Sequence, residues 1–124
     1  MNLTHNEIEV MDVFWDAGKP LSRAELLNLS VDKSWKSNSV HILLNSLLKK
    51  GALREAGFVR SGKTYGRTFV PSLTREEYFA TTIFSHTHKP EFVGLMEALL
   101  NRKDITAEQL TKVESMIQDK MKSM

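Results

Sequence analysis

The chain has 124 residues, 41% of them hydrophobic and 26% charged, with a formal net charge of +2 and no cysteine. That length fits one compact domain, or one domain with a helical appendage, and that apolar content can bury a core, which excludes wholesale disorder. Without cysteine there is no disulfide, no thiol catalysis and no thiolate metal site, and no apolar run reaches the roughly 18 residues of a membrane span.

Residues 1–7 show no basic stretch followed by an apolar one, so no secretory signal is expected and the cytoplasm is the default location. Four segments have the form of a capping box: Thr4-x-x-Glu7, Ser22-x-x-Glu25, Thr74-x-x-Glu77 and Thr106-x-x-Gln109. In each, a hydroxyl can take an orphan amide at a helix start while the Glu or Gln reaches back. Each opens an amphipathic run, so together they mark helix starts.

The first helix is expected over Thr4 to Trp15, with Ile8, Met11, Phe14 and Trp15 on one face and Val10 beside it. Ala17-Gly18-Lys19-Pro20 ends it. Leu21 offers a short strand before a second helix, Ser22 to Leu29. A polar turn through Asp32-Lys33 leads to a third helix from Ser37 to Lys50. Its inward face is Val40, Leu43, Leu44, Leu47 and Leu48, and Gly51 stops it. Two strands follow, Leu53 to Arg60 and Thr64 to Val70, joined by Ser61-Gly62-Lys63 and closed by Pro71. Three helices and then a hairpin is the order of a winged helix-turn-helix.

Beyond Pro71 the pattern is helical: Thr74 to Ser85, Pro90 to Leu100, and Thr106 to Lys122, with Asn101-Arg102-Lys103-Asp104 as a polar break. The fold class is therefore mainly α with a small β-hairpin. Residues 1–72 are expected to form a winged-helix DNA-binding domain and residues 73–124 a helical dimerisation region. The later helices carry more apolar surface than a free appendage tolerates. Self-association is the economical remedy, and a two-fold dimer is the commonest form. Its candidate contacts are Tyr78, Phe79, Ile83, Phe92, Leu95, Met96, Leu99, Leu110, Val113 and Ile117. The aromatic set Tyr78, Phe79, Phe84 and Phe92 reads as packing, with a small-molecule pocket as the alternative.

Charge is strongly segregated. Between Lys33 and Arg67 stand eight Lys/Arg and one acid, Glu55, a local charge of about +7, so the remainder of the chain carries about −5. A helix followed by a basic hairpin can put side chains into a DNA groove and over phosphates together. Asn38, Ser39, His41, Ile42 and Asn45 should form much of the exposed face of the third helix, with Ser37 at its opening. Asn pairs with adenine, His and Ser donate to base acceptors, and Ile meets a thymine methyl. A merely solvated helix face is the competing reading.

Lys36, just before that helix, is a phosphate candidate. Arg60, Lys63 and Arg67 flank the hairpin turn and suit phosphates or the minor groove, although charged strand edges also serve to block aggregation. Lys49, Lys50 and Arg54 are assigned to the helix C-terminal dipole. The acidic first helix (Glu7, Glu9, Asp12, Asp16) reads as a solvated face turned away from DNA.

His86-Thr87-His88 has no third ligand nearby and reads as a helix-end linker, so neither a metal nor any other cofactor is expected. No spacing suggests a catalytic triad or a phosphate loop, so an enzyme is not expected. The competing function is a winged-helix adaptor that binds protein, its wing charge meeting an acidic partner.

Three stretches resemble the penicillinase repressor family (BlaI/MecI type) of winged-helix transcriptional regulators. They are Glu7-Ile8-Glu9-Val10-Met11-Asp12-Val13-Phe14-Trp15-Asp16, Ser39 to Gly51, and Lys63 to Pro71 with the following Thr74-Arg75-Glu76-Glu77. The resemblance covers about residues 3 to 85 well, and the remainder in helical layout. It implies a homodimeric repressor on an inverted-repeat operator, with Ser39, His41 and Ile42 at recognition-helix positions. An inactivating protease or a small-molecule inducer is a further candidate partner. Three departures stand out. Ser46 occupies a place where the family commonly has Arg. The cysteine cluster of the copper-sensing branch is absent. Ala98-Leu99 stands where penicillin-responsive members are cleaved at an Asn-Phe bond.

Overall fold

The computed structural model describes residues 1–61, 64–85 and 87–124. They form two compact units, Met1–Ser85 and His86–Met124. The first contains α1 (His5–Ala17), β1 (Leu21–Ser22), α2 (Arg23–Leu29), a 3-10 turn (Ser37–Ser39), α3 (Val40–Lys50), β2 (Leu53–Ser61), β3 (Thr64–Pro71) and α4 (Arg75–Phe84). The second contains α5 (Phe92–Leu100) and α6 (Ala107–Lys122). No described helix is long and apolar enough to cross a membrane.

All four capping boxes form, with Thr4, Ser22, Thr74 and Thr106 as the N-caps of α1, α2, α4 and α6. Each satisfies two backbone amides that the helix itself leaves without partners. α5 starts later than Pro90 suggests. Glu91 is its N-cap, and its carboxylate takes the amides of Val93 at 3.1 Å and Gly94 at 2.6 Å. A carboxylate there also meets the positive end of the helix dipole.

In the first unit, α1, α2 and α3 pack Val10, Met11, Phe14, Leu26, Val40, Leu44 and Leu47 into one core with Leu21, Leu53 and Phe69 of the sheet. The apolar spacing of α1 and α3 anticipates this. Ile8, Trp15, Leu43 and Leu48 sit at its margin, partly buried. The sheet order is β1-β3-β2, all antiparallel, with Leu21 opposite Phe69 and Leu53 opposite Pro71. An irregularity between Glu55 and Gly57 admits one extra residue to β2. Gly57 there has φ of 156°, which a side chain rarely adopts.

Gly51 ends α3 in the left-handed region at φ 82°, with its amide on the carbonyls of Leu47 and Leu48. Nothing lies within 4 Å of a Cβ built on it, so only backbone strain opposes a side chain there. Gly51→Ala is expected to cost about 1 kcal/mol. A shift in the denaturation midpoint at unchanged slope reads this directly. No shift would mean that the left-handed cap is dispensable.

α4 belongs to the first compact unit, so that unit extends past residue 72 to Ser85. Trp15 explains why. Its Nε1 donates to the Leu73 carbonyl at 2.9 Å, and its ring lies 5.9 Å from that of Tyr78. Tyr78 is buried in the core of the first unit. It is thereby corrected from a candidate dimer contact to a packing residue of the first unit. Arg75 completes the attachment, with Nη2 at 2.9 Å from Asp16 and 3.2 Å from Asp12 and its guanidinium 5.4 Å from the Trp15 ring centre. The hydrogen bond to Asp16, with a further one to Asp12, raises the guanidinium pKa against the opposing effect of burial.

The second unit has no buried residue in either helix. Phe92, Val93, Leu99 and Leu100 of α5 are exposed, as are Leu110, Val113, Met116, Ile117 and Met121 of α6. Arg102 and Asp104 form a two-point ion pair in the linker, both contacts at 2.9 Å.

Candidate nucleic-acid interface

The 3-10 turn and α3 present the polar face that the spacing predicts, with one change of geometry. Ser37, Asn38 and Ser39 lie in the turn, and α3 proper begins at Val40. Lys36, Ser37, Asn38, His41, Ile42 and Asn45 are exposed, while Ser39 is half-buried. Ile42 is 72% exposed in a helix whose other aliphatic residues turn inward, so burial within its own unit does not account for it.

The start of α3 also differs chemically from that of its neighbours. No side chain caps the 3-10 turn at Lys36 or α3 at Ser39. The amides at this end are not taken by a capping side chain, and the positive end of the dipole suits an anion such as a phosphate.

Two residues outside α3 hold it. Glu7, on α1, is buried and sits against the C-terminal half of α3. Its Oε1 accepts from Lys50 Nζ at 2.6 Å and from the Thr4 amide at 2.8 Å, and its Oε2 accepts from Ser46 Oγ. Burial pushes this carboxyl up, yet the hydrogen bonds from Lys50, Ser46 and Thr4 outweigh it and hold the pKa at about 2 rather than 4.5. Ser46 thus points toward α1. Lys50 is tied to Glu7 and to the Asn2 carbonyl, at 2.9 Å, as well as standing at the helix end.

At the other end, the Arg23 guanidinium at the start of α2 lies on the His41 ring, with Nη1 against Nε2 and 3.4 Å from Nδ1. Sequence patterns missed both arrangements. The one available signal for Glu7 was its capping box, which revealed half of its role.

The acids of α1 are corrected as a group. Besides Glu7, Glu9 accepts from the amide and hydroxyl of Ser34, and Asp12 and Asp16 hold Arg75. Glu7 is buried, while Glu9, Asp12 and Asp16 stay in part exposed and still cross-link segments. Ordering the loop before α3 is a consequence, since Ser34 also reaches Asn6 at 2.8 Å.

On the hairpin, Arg60 and Arg67 are both exposed. Arg67 stands opposite Phe58, three rungs from the Ser61–Thr64 pair. It contacts Glu55 at 2.5 Å and its guanidinium lies 5.3 Å from the Phe69 ring centre, so a phosphate would have to share it with a carboxylate. Phe58 beside it is 71% exposed, an apolar feature of the wing not singled out by charge. Lys63 and His86 lie outside the described residues. Among the described residues no group of three or more His, Cys, Asp or Glu could hold a metal.

A cavity of about 480 Å³ is lined by Phe14, Trp15, Val70, Leu73 and Arg75, among others, and none of Tyr78, Phe79, Phe84 and Phe92 borders it.

A family profile described as Penicillinase repressor matches residues 3–119 of the chain. A protein of Latilactobacillus sakei described as "Uncharacterized 16.5 kDa protein in ptsI 3'region" is 23% identical over 116 residues, covering 93% of this chain and 77% of its own length. The profile spans nearly the whole chain, and the fold, three helices and a hairpin followed by helices, agrees with it. The chain belongs to the penicillinase repressor family of winged-helix, DNA-binding transcriptional repressors, a family of regulators rather than enzymes that is typically dimeric.

Proposed function

We propose that this protein represses transcription as a homodimer on an inverted-repeat operator. Each protomer lays α3 in a major groove and its wing along the backbone, and two-fold symmetry joins the half-sites. The observation that carries the reading is the exposed face of Asn38, His41, Ile42 and Asn45, continuous with a helix start that no side chain caps. Lys36, Arg60, Lys63 and Arg67 supply phosphate affinity. Asn38, Ser39, His41 and Asn45 supply selectivity, and Ile42 suits a thymine methyl. Phe79, Ile83, Phe92, Leu95, Met96, Leu99, Leu110, Val113 and Ile117 are the dimer contacts in this reading.

Selection of bound duplexes from a random pool, with salt titration of the winners, tests it. An enriched inverted repeat with a steep salt slope is expected. Absence of enrichment would favour the protein-adaptor reading. Within the selected site the two contact classes separate. Lys36→Ala is expected to weaken every duplex by a similar factor and to flatten the salt slope by about one counterion. Asn45→Ala is expected to lose about 1–3 kcal/mol of discrimination at one base pair. Equal losses on all sequences for both variants would end that division of labour.

A further inference from the structure

Arg23 lies outside the basic stretch between Lys33 and Arg67, on α2 rather than on α3 or the wing. It is the first residue of α2, directly after the Ser22 cap, and both it and His41 are exposed. His41 is the second residue of α3, so this pair bridges the two helices of the helix-turn-helix at their N-terminal ends. An arginine side chain only donates and stays charged. The ring nitrogen that faces it must therefore offer a lone pair. Nε2 is the nearer of the two, with Nδ1 at 3.4 Å from the same Arg23 nitrogen. A ring that accepts at Nε2 carries its proton on Nδ1, since the bond made by one imidazole nitrogen sets the state of the other.

We infer that Arg23 is a positioning residue for DNA recognition: it holds the His41 ring so that Nδ1 donates to a base-edge acceptor, and it binds a backbone phosphate with its remaining N–H groups. The inference rests on the reading of α3 as the recognition helix. A guanidinium has five N–H donors, so one spent on His41 leaves a fork free for phosphate oxygens. The acceptor that suits a ring N–H in a major groove is a purine N7 or a guanine O6. The contact surface then extends onto α2, and the residue that reads the base is aimed by one that grips the backbone.

Two measurements on the full chain test it. The first is the imidazole 15N spectrum of the free protein. His41 is expected in the Nδ1–H form, and Arg23→Gln is expected to turn it toward the Nε2–H form that an unconstrained imidazole favours. The same form in both proteins would overturn the positioning role, whatever happens on DNA. The second is binding to the selected duplex and to base-substituted versions of it. Arg23→Gln is expected to lose roughly tenfold on all of them, with a salt slope smaller by about 0.9. His41→Ala is expected to lose discrimination at one base pair only. An unchanged affinity and slope for Arg23→Gln, while Lys36→Ala still weakens binding, would overturn the phosphate role and leave the repressor reading standing. If the unaltered protein binds no duplex at all, the repressor reading falls, and the DNA part of this inference with it.

Discussion

Glu7→Gln is expected to destabilise the N-terminal unit by about 3 kcal/mol at neutral pH. The carboxylate is buried, with only 3% of its side chain exposed, and it gathers Lys50, Ser46 and the Thr4 amide onto two oxygens. A glutamine of the same shape keeps the packing but leaves the Lys50 ammonium without its counter-charge. The magnitude follows from linkage. A folded-state pKa of about 2 against an ordinary 4.5 is worth about 3 kcal/mol, at about 1.4 kcal/mol per pH unit.

The sign follows too. The folded-state pKa is depressed, so the contribution is fully present above the ordinary value of 4.5 and disappears as the pH falls toward about 2. Thermal unfolding should show the parent protein losing stability through that window while Glu7→Gln changes less. At pH 7 the variant should melt at least roughly 10 °C lower, since 1 kcal/mol moves a domain of this size by several degrees. Parallel pH profiles for the two proteins would contradict this account. Because Ser46 and Lys50 belong to α3, the same variant should loosen that helix before global unfolding, seen as faster amide exchange along α3.

The second large effect is expected from the C-terminal helices. Replacing Leu110 and Ile117 together by glutamate should convert the proposed dimer to monomers in sedimentation. It should also lower affinity for a two-half-site operator by about a hundredfold or more, with affinity for a single half-site unchanged. The physical basis is the apolar stripe on α6. Leu110 is 42% exposed, Ile117 53% and Met121 68%, on a helix in which no residue is buried. A helix spends its apolar face on another surface, and in a symmetric pair that surface is its own copy. Two carboxylates on that face would be desolvated on association, which the association energy cannot offset. The fold-loss arises because the second half-site is bound at a high effective concentration only while the two protomers stay joined. A dimer that persists in the double variant would move the interface elsewhere, with α5 as the next place to look.

Local physics accounts for what was legible in the chain. A capping box is written within four consecutive residues, and all four of them formed helix starts where expected. Gly51 stops α3, Leu21 pairs in the sheet, and the hairpin strands lie before and after the short link as expected. The apolar spacing of α1 and α3 identified the core face, and the polar residues of α3 stand exposed as their spacing implied.

What escaped that reading depends on partners far away in sequence. Charge at Glu7, Asp12 and Asp16 shows no partner in the pattern until Lys50 and Arg75, 43 and 63 or 59 residues away, are folded against them. Tyr78 has the spacing of an interface residue, yet Trp15 captures it for the first unit. Arg23 and His41 are 18 residues apart, and only the crossing of α2 and α3 brings them together.

The sequence by itself therefore determined the order of the elements, the winged-helix class and the exposed face of α3. These depend on backbone capping and on hydrophobic period, both of which act over a few residues. Only the tertiary structure decided which charges are cross-links, where the first unit ends and which residue lies against His41. Such pairings depend on the distance between side chains after packing, and a one-dimensional pattern carries no record of that distance.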